Sequence, residues 1–348
     1  MVTSRFAGAA RIARAVVLTA VAVAAVGAHA QDVRPQPGSE LKLSVAVGPA
    51  YALGTAADRW AKRITDRSGG RLRVKTFAGA ALAQRDPGRE FLALKDGAAD
   101  LAVGSSLYWS AQMKELGVVG LPWLAAGPKR LAALVSGSVR DRLLAAMIRA
   151  DVVPLALAPL GHRAIATVDR AVEAPADLVG LRVRVIAPHA VSVFYAALGA
   201  QPQTTSFAAA EAAFAAGRLD AQDGSPATFA ATHLYSVGVT RVLLWDAIAE
   251  VAIFAVNRER WEAWTDADRV VVRNSAREVA AELAGLVQRE EEAALADLRR
   301  GGMTIVRLTP AGHAAFAAAV RPLYEQWAAV AGPELVRAAE AAVAAVTP

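Results

Sequence analysis

In Gly180-Leu-Arg-Val-Arg-Val-Ile186 apolar and basic side chains alternate, so that Leu181, Val183 and Val185 point one way along a strand and Arg182 and Arg184 the other. A strand covered on both faces tolerates a guanidinium only where it emerges into water or meets an anion, because an unpaired buried charge is costly. Arg184 lies toward the carboxyl end of this strand, where open α/β sheets form their ligand crevices. Its planar fork fits a carboxylate through two parallel hydrogen bonds. Spacing leaves two readings open, an anion clamp or a structural ion pair with Asp177, Asp220 or Asp223. Arg163, after Gly161-His162, offers the same chemistry with less positional support.

Other chemistries find little footing. The chain has no cysteine, which excludes disulfides, iron–sulfur clusters, thiolate zinc sites and thiol nucleophiles. Of its five histidines, His29, His162, His189, His233 and His313, no two stand at the helical spacing of a zinc pair. Gly69-Gly70 and Gly301-Gly302 end helical patterns rather than opening them, so no phosphate loop is present. Gly104-Ser105-Ser106 lacks the second glycine of a nucleophile elbow. No basic patch carries interleaved aromatics, and no nucleic-acid partner is expected. Neither metal nor organic cofactor is expected.

These residues need elements to hold them. At 55% hydrophobic residues and 20% charged, the chain can bury a core, and disorder is excluded. Arg5, Arg11 and Arg14 precede an uncharged run from Ala15 to Gly27, and Ala28-His29-Ala30 follows. That run is about 13 residues where a membrane span needs about 20, so residues 1–30 read as a secretion signal cleaved near Ala30/Gln31. Losing those three arginines lowers the net charge from +6 to +3, which removes the case for a polyanion partner. The exported chain is expected to be periplasmic and not itself membrane-spanning.

Beyond the leader, Leu41 to Val47 and Arg71 to Phe77 alternate as strands around a helix at Thr55–Arg67, a parallel crossover unit. Further strands are expected at Asp100–Val103, Val152–Ala158, Ala164–Val168, Leu181–Ile186, Val239–Leu244, Val251–Val256 and Met303–Val306. Helices are expected at Glu90–Lys95, near 128–135 and 138–149, at His189–Leu198, and at Phe207–Ala216 with Ser206 as its cap. Asp266 to Arg300 reads as a single helix of about 50 Å, long enough to cross two lobes, and alanine-rich helices fill 310–346. The expected class is α/β, two lobes around a central cleft. Lobe I would take 31–160 plus about 250–285, and lobe II 161–249 plus about 286–348.

Three segments, Asp177 to Val185, Leu198-Gly-Ala-Gln-Pro202 and Gly217-Arg-Leu-Asp-Ala-Gln-Asp223, resemble the solute-binding subunits of tripartite ATP-independent periplasmic (TRAP) transporters, the DctP-like family. Ser68 to Val74, Leu94 to Asp100, Leu121-Pro-Trp123 and Gly161-His-Arg163 fall in the family's order and spacing, and the match covers nearly the whole mature chain. The resemblance implies a periplasmic-binding-protein-like fold that closes on a small organic acid and docks on TRAP membrane permease subunits, without enzymatic activity. It places Arg184 where the family's arginine pairs the ligand carboxylate, Arg163 where a second arginine assists, and Phe207 where an aromatic packs on the ligand. Trp245, Tyr51, Ser105 and Ser225 complete the expected lining. Gly224 stands where some members have a ligand-bonding asparagine, and Ser105 where certain sugar-acid binders place a glutamate, which implies a less polar cleft than theirs. Two other readings share this frame. One is a ligand-presenting protein for a membrane sensor. The other is a periplasmic hydrolase or lyase, which would need Ser225, Asp223 or His189 as its reactive group.

Overall fold

The computed structural model describes residues 40–346 apart from 187, 188 and 206. The secretion signal and the Ser206 cap lie outside the described residues.

Eleven strands form two sheets among the described residues. The first sheet has β1 (Glu40–Val45), β2 (Arg73–Phe77), β3 (Leu101–Ser105), β4 (Val152–His162) and β10 (Ala249–Asn257), in the order β2-β1-β3-β10-β4. β1 runs parallel to β2 and β3, as a right-handed crossover requires, whereas β10 is antiparallel to both its neighbours. Leu41, Leu43 and Val45 point into the core against Ala57, Trp60, Ala61 and Ile64 of the helix Ala52–Arg67, the face that the helical spacing selects.

The second sheet holds β5 (Ala164–Thr167), β6 (Arg182–Val185), β7 (Gln201–Thr204), β8 (Ala221–Gly224), β9 (Arg241–Leu244) and β11 (Thr304–Arg307), ordered β11-β9-β5-β8-β6-β7. Periodicity alone misses β7 and β8. β7 is a polar edge strand, and β8 is central and wholly buried although its sequence is Ala-Gln-Asp-Gly.

Three segments pass between the sheets. β4 ends at His162, the backbone turns at Gly161 with φ +103°, a conformation that favours glycine, and β5 follows in the other sheet. The chain returns through residues 245–248 from β9 into β10. The third is the helix Asp266–Arg300, with the bounds the sequence indicates. Thr265 Oγ1 caps it by accepting the Asp268 N–H at 3.2 Å, with acids in the first turn and Arg299 and Arg300 in the last, matching the helix dipole. Its Val272, Ala276, Val279 and Leu283 pack in the core of the first sheet, and its Leu295 and Leu298 in that of the second.

The alanine-rich end forms three helices, Pro310–Ala319, Arg321–Ala331 and Pro333–Ala344. The last packs Leu335, Val336, Ala339 and Val343 against Leu131, Leu134, Leu143 and Met147, on the first sheet's side of the molecule.

Candidate ligand-binding cleft

The carboxyl ends of β1, β3, β6 and β8, the crossing at Gly161, the start of β10 and one stretch of the long helix converge on a cavity of about 200 Å³. It is where a switch between sheets places a crevice. Arg184, Arg163, Ser225, Ser105 and Tyr51 all line it.

Arg163 sits at the start of β5 and is 6% exposed. Its Nε and Nη2 donate to Asp223 Oδ1 at 2.7 and 2.5 Å, and its Nη1 donates to Glu250 Oε1 at 2.9 Å. The outer oxygens of both acids are also occupied. Ser105 Oγ donates to Glu250 Oε2 at 2.6 Å, and Tyr195 Oη donates to Asp223 Oδ2 at 3.1 Å. Antiparallel pairing brings the first pair together, because β5 and β8 set Ile165 opposite Asp223 and Ala164 opposite Gly224. Burial by itself lowers the Arg163 guanidinium's pKa, but Asp223 and Glu250 outweigh it and the net direction is upward. Burial pushes the Asp223 carboxyl up against the opposing pull of Arg163, and at these contact distances the pair is ionic. Arg163 is therefore the cation of a buried ionic cluster on the cavity wall, with each of its three nitrogens directed at a protein carboxylate.

Arg184 is placed differently. It is 4% exposed, lines the cavity, and donates from Nε and Nη2 to the Thr205 carbonyl at 3.1 and 3.0 Å. The three aspartates that offered a structural pair are engaged elsewhere. Asp220 takes Arg182 at 2.5 Å, Asp223 takes Arg163, and Asp177 accepts the Glu173 and Ala174 N–H groups. Burial depresses the Arg184 pKa and the nearby charge of Arg163 adds to the effect, with Tyr108 opposing. A cation made less comfortable by its surroundings gains from an arriving carboxylate.

The rest of the wall is mixed. Val47, Leu53, Leu160, Ile186 and Val287 are apolar, and Tyr108, Ser225 and Thr228 offer hydroxyls. Burial raises the Tyr108 phenol to about 12, so it stays protonated and can donate. Ser225 caps the helix Pro226–Ala231 by accepting the Thr228 N–H at 3.2 Å, an N-cap role rather than that of a nucleophile poised beside a base. Gly224 has no room for a side chain, since a Cβ there would lie 2.7 Å from Phe229 Cε1. Tyr51 precedes the first helix, whose Ala52 N–H is held by Glu290 Oε1 of the long helix at 2.8 Å.

One expected contact does not join this group. Trp245 is 3% exposed inside an aromatic core, 5.8 Å from Trp123, 5.6 Å from Phe194 and 5.6 Å from Phe316, so it supports the second sheet instead of the ligand wall. Phe207 opens the helix Phe207–Ala215, and its side chain lies outside the described residues. His189 lines a different cavity, together with Trp327 and Val330. Sequence reading passed over Glu250, Tyr108 and Tyr195. Glu250 carried a usable signal, as a lone acid at the head of the apolar run Val251–Val256; the same reasoning that singled out Arg184 applies to it. Among the described residues no group of three His, Asp or Glu could hold a metal ion, and no helix is long and apolar enough to cross a membrane.

Residues 43–330 match the description of bacterial extracellular solute-binding protein, family 7 (DctP). Among solved structures, a TRAP periplasmic solute-binding protein from Ralstonia eutropha H16 with bound (S)-2-acetolactate is 36% identical, covering 88% of this chain and 98% of its own, with a TM-score of 0.83. One from Chromohalobacter salexigens, with bound d-glucuronate, is 21% identical over 88% of this chain and all of its own, with a TM-score of 0.80, a likeness of fold. A solute-binding protein of Verminephrobacter eiseniae is 25% identical over 86% of this chain and 89% of its own.

Proposed function

The chain belongs to bacterial extracellular solute-binding protein family 7, the TRAP-type family its motifs resemble, and from that premise we propose that it captures a small organic acid in the Arg184 cleft and hands it unchanged to a TRAP membrane permease. The observation that carries this is the Arg184 guanidinium on the wall of a cavity built from both sheets, in a chain whose other cleft arginine is bound to two acids. Arg184 clamps the carboxylate. Tyr108 and the apolar side chains of Val47, Leu160 and Ile186 contact the remainder. The relative with bound (S)-2-acetolactate, a small carboxylate, supports this class of ligand. TRAP solute-binding proteins are periplasmic, and the amino-terminal signal pattern assigns this chain to the same compartment.

In this reading lobe I comprises the first sheet with its helices and lobe II the second sheet, the boundaries falling at Gly161, at residues 245–248, within the long helix and between β11 and the final helix. The packing of Leu335 and Val336 against Leu131 and Met147 supports grouping the final helix with lobe I rather than lobe II. Closure of the lobes excludes water and strengthens the ion pair. The proposal is tested by titrating small organic acids into ligand-free protein in a calorimeter. Arg184→Ala weakens binding at least tenfold, about 1.4 kcal/mol. Affinity retained in that variant sinks the clamp.

A further inference from the structure

Four charged side chains stand at the floor of the cleft, and their arrangement limits the charge a ligand can bring. Arg163 is bound by Asp223 and Glu250, so that trio carries one net negative charge. Arg184 balances it, leaving the floor neutral before any ligand arrives. The wall opposite adds no cation. It carries Glu290 and Glu291 of the long helix, with burial raising the pKa of Glu290. A first carboxylate meets Arg184. A second carboxylate within the same 200 Å³ would find all three nitrogens of Arg163 already engaged by protein acids and would lie among like charges in a poorly solvated space.

Glu250 is the pivot of this arrangement. Its side chain is 14% exposed and lines the cavity, where Asp223 is 1% exposed, so Glu250 presents the cluster's negative charge to the ligand. Its Oε1 accepts from Arg163 and its Oε2 from Ser105. A carboxylate has about four lone-pair sites, so each oxygen retains capacity to accept a hydrogen bond from a ligand hydroxyl.

We infer that the cleft selects short monocarboxylates with an uncharged, hydroxyl- or oxo-bearing remainder, and that Glu250 is the residue that rejects dicarboxylates. This rests on the carboxylate reading of the same cleft and narrows it. The geometry assigns the preference to charge, since an apolar wall would accept either a methyl or a carboxylate of similar size by shape alone.

The test uses the exported protein, refolded to strip ligand, and acids matched in carbon skeleton: 2-hydroxybutyrate against malate, 2-oxobutyrate against oxaloacetate, butyrate against succinate. Titration of the unmodified protein should show at least a hundredfold preference for the preferred monocarboxylate over its matched dicarboxylate. Glu250→Gln keeps the shape and leaves Arg163 paired with Asp223, and it should narrow that gap at least tenfold. A dicarboxylate bound by the unmodified protein as tightly as its partner, with binding lost in Arg184→Ala, overturns the selectivity and leaves the carboxylate cleft standing. Binding of none of these or any other organic acid overturns both readings. An unchanged gap in a folded Glu250→Gln protein removes Glu250 from the role. The unmodified protein alone decides the charge preference if that variant does not fold.

Discussion

Replacing Arg163 by methionine separates a structural cation from a ligand-binding one. The substitution keeps much of the side-chain volume but leaves Asp223 and Glu250, 1% and 14% exposed, without their shared counter-charge. Removing one partner of a buried pair costs about 3–5 kcal/mol. At about 2 °C per kcal/mol for a chain of this length, the unfolding midpoint should fall by about 6–10 °C at pH 7, read by circular dichroism on ligand-free protein. Without the guanidinium, the burial that already raises the Asp223 carboxyl acts unopposed and holds it above its unfolded value of about 4. The folded variant then binds protons more tightly than the unfolded chain, so its deficit is full near neutral pH and shrinks as pH falls toward 5. Adding Asp223→Asn and Glu250→Gln removes the stranded charges and should restore most of the midpoint. A drop of less than about 2 °C, about 1 kcal/mol, or a triple variant as unstable as the single one, would refute the assignment. An Arg163→Met protein of normal midpoint that has lost ligand would return Arg163 to the binding role.

Two further outcomes can be checked by thermal unfolding. Glu90 is fully buried beside Ser44 Oγ at 2.7 Å, and burial pushes its carboxyl up to about 7 from 4.5. The folded state therefore holds this proton more tightly, and stability is lost between about pH 4.5 and 7 and stays level above; Glu90→Gln should flatten that slope and gain about 3 kcal/mol at pH 8, and an unchanged pH profile would contradict it. Gly224→Ala puts a Cβ 2.7 Å from Phe229 Cε1 and should cost about 1–3 kcal/mol, with Phe229→Leu recovering more than half; a neutral Gly224→Ala would show that the ring yields freely.

Local pattern carried much of the architecture. The long helix has clean signals at both ends, Thr265-Asp-Ala-Asp268 to open it and Arg299-Arg-Gly-Gly302 to close it, and its bounds were readable. β1 and β6 alternate in sequence as strands do, although both faces of β6 are largely buried. β8 did not, because a buried Gln-Asp pair resembles a loop until one knows that Arg163 and Tyr195 wait for the aspartate. The same long-range pairing explains the site. Strand position favours Arg184 over Arg163 in the sequence, but nothing local shows which of the two meets protein acids. What separates them is that β8 and β10, remote in sequence, deliver two carboxylates to Arg163, whereas the strand neighbours of Arg184 are Gln203 and Gln222. Trp245 misled for the opposite reason, because an aromatic beside a charged residue suits a cleft rim as well as a core.

The position of β10 also governs how the molecule can come into being. β3 and β4 never bond to each other; each waits for β10 to fill the gap between them, and the whole interior of the second sheet is encoded in between. A chain growing or threading from its amino end carries two unpaired halves of a sheet until residue 257 arrives, and the second sheet acquires its outer strand only at residue 304. Such non-local pairing makes folding slow and leaves strand edges open to neighbouring chains in the interval. The two sheets accordingly are not completed one after the other along the chain. A chain cut short before β10 would leave β2-β1-β3 on one side and β4 on the other with nothing to join them.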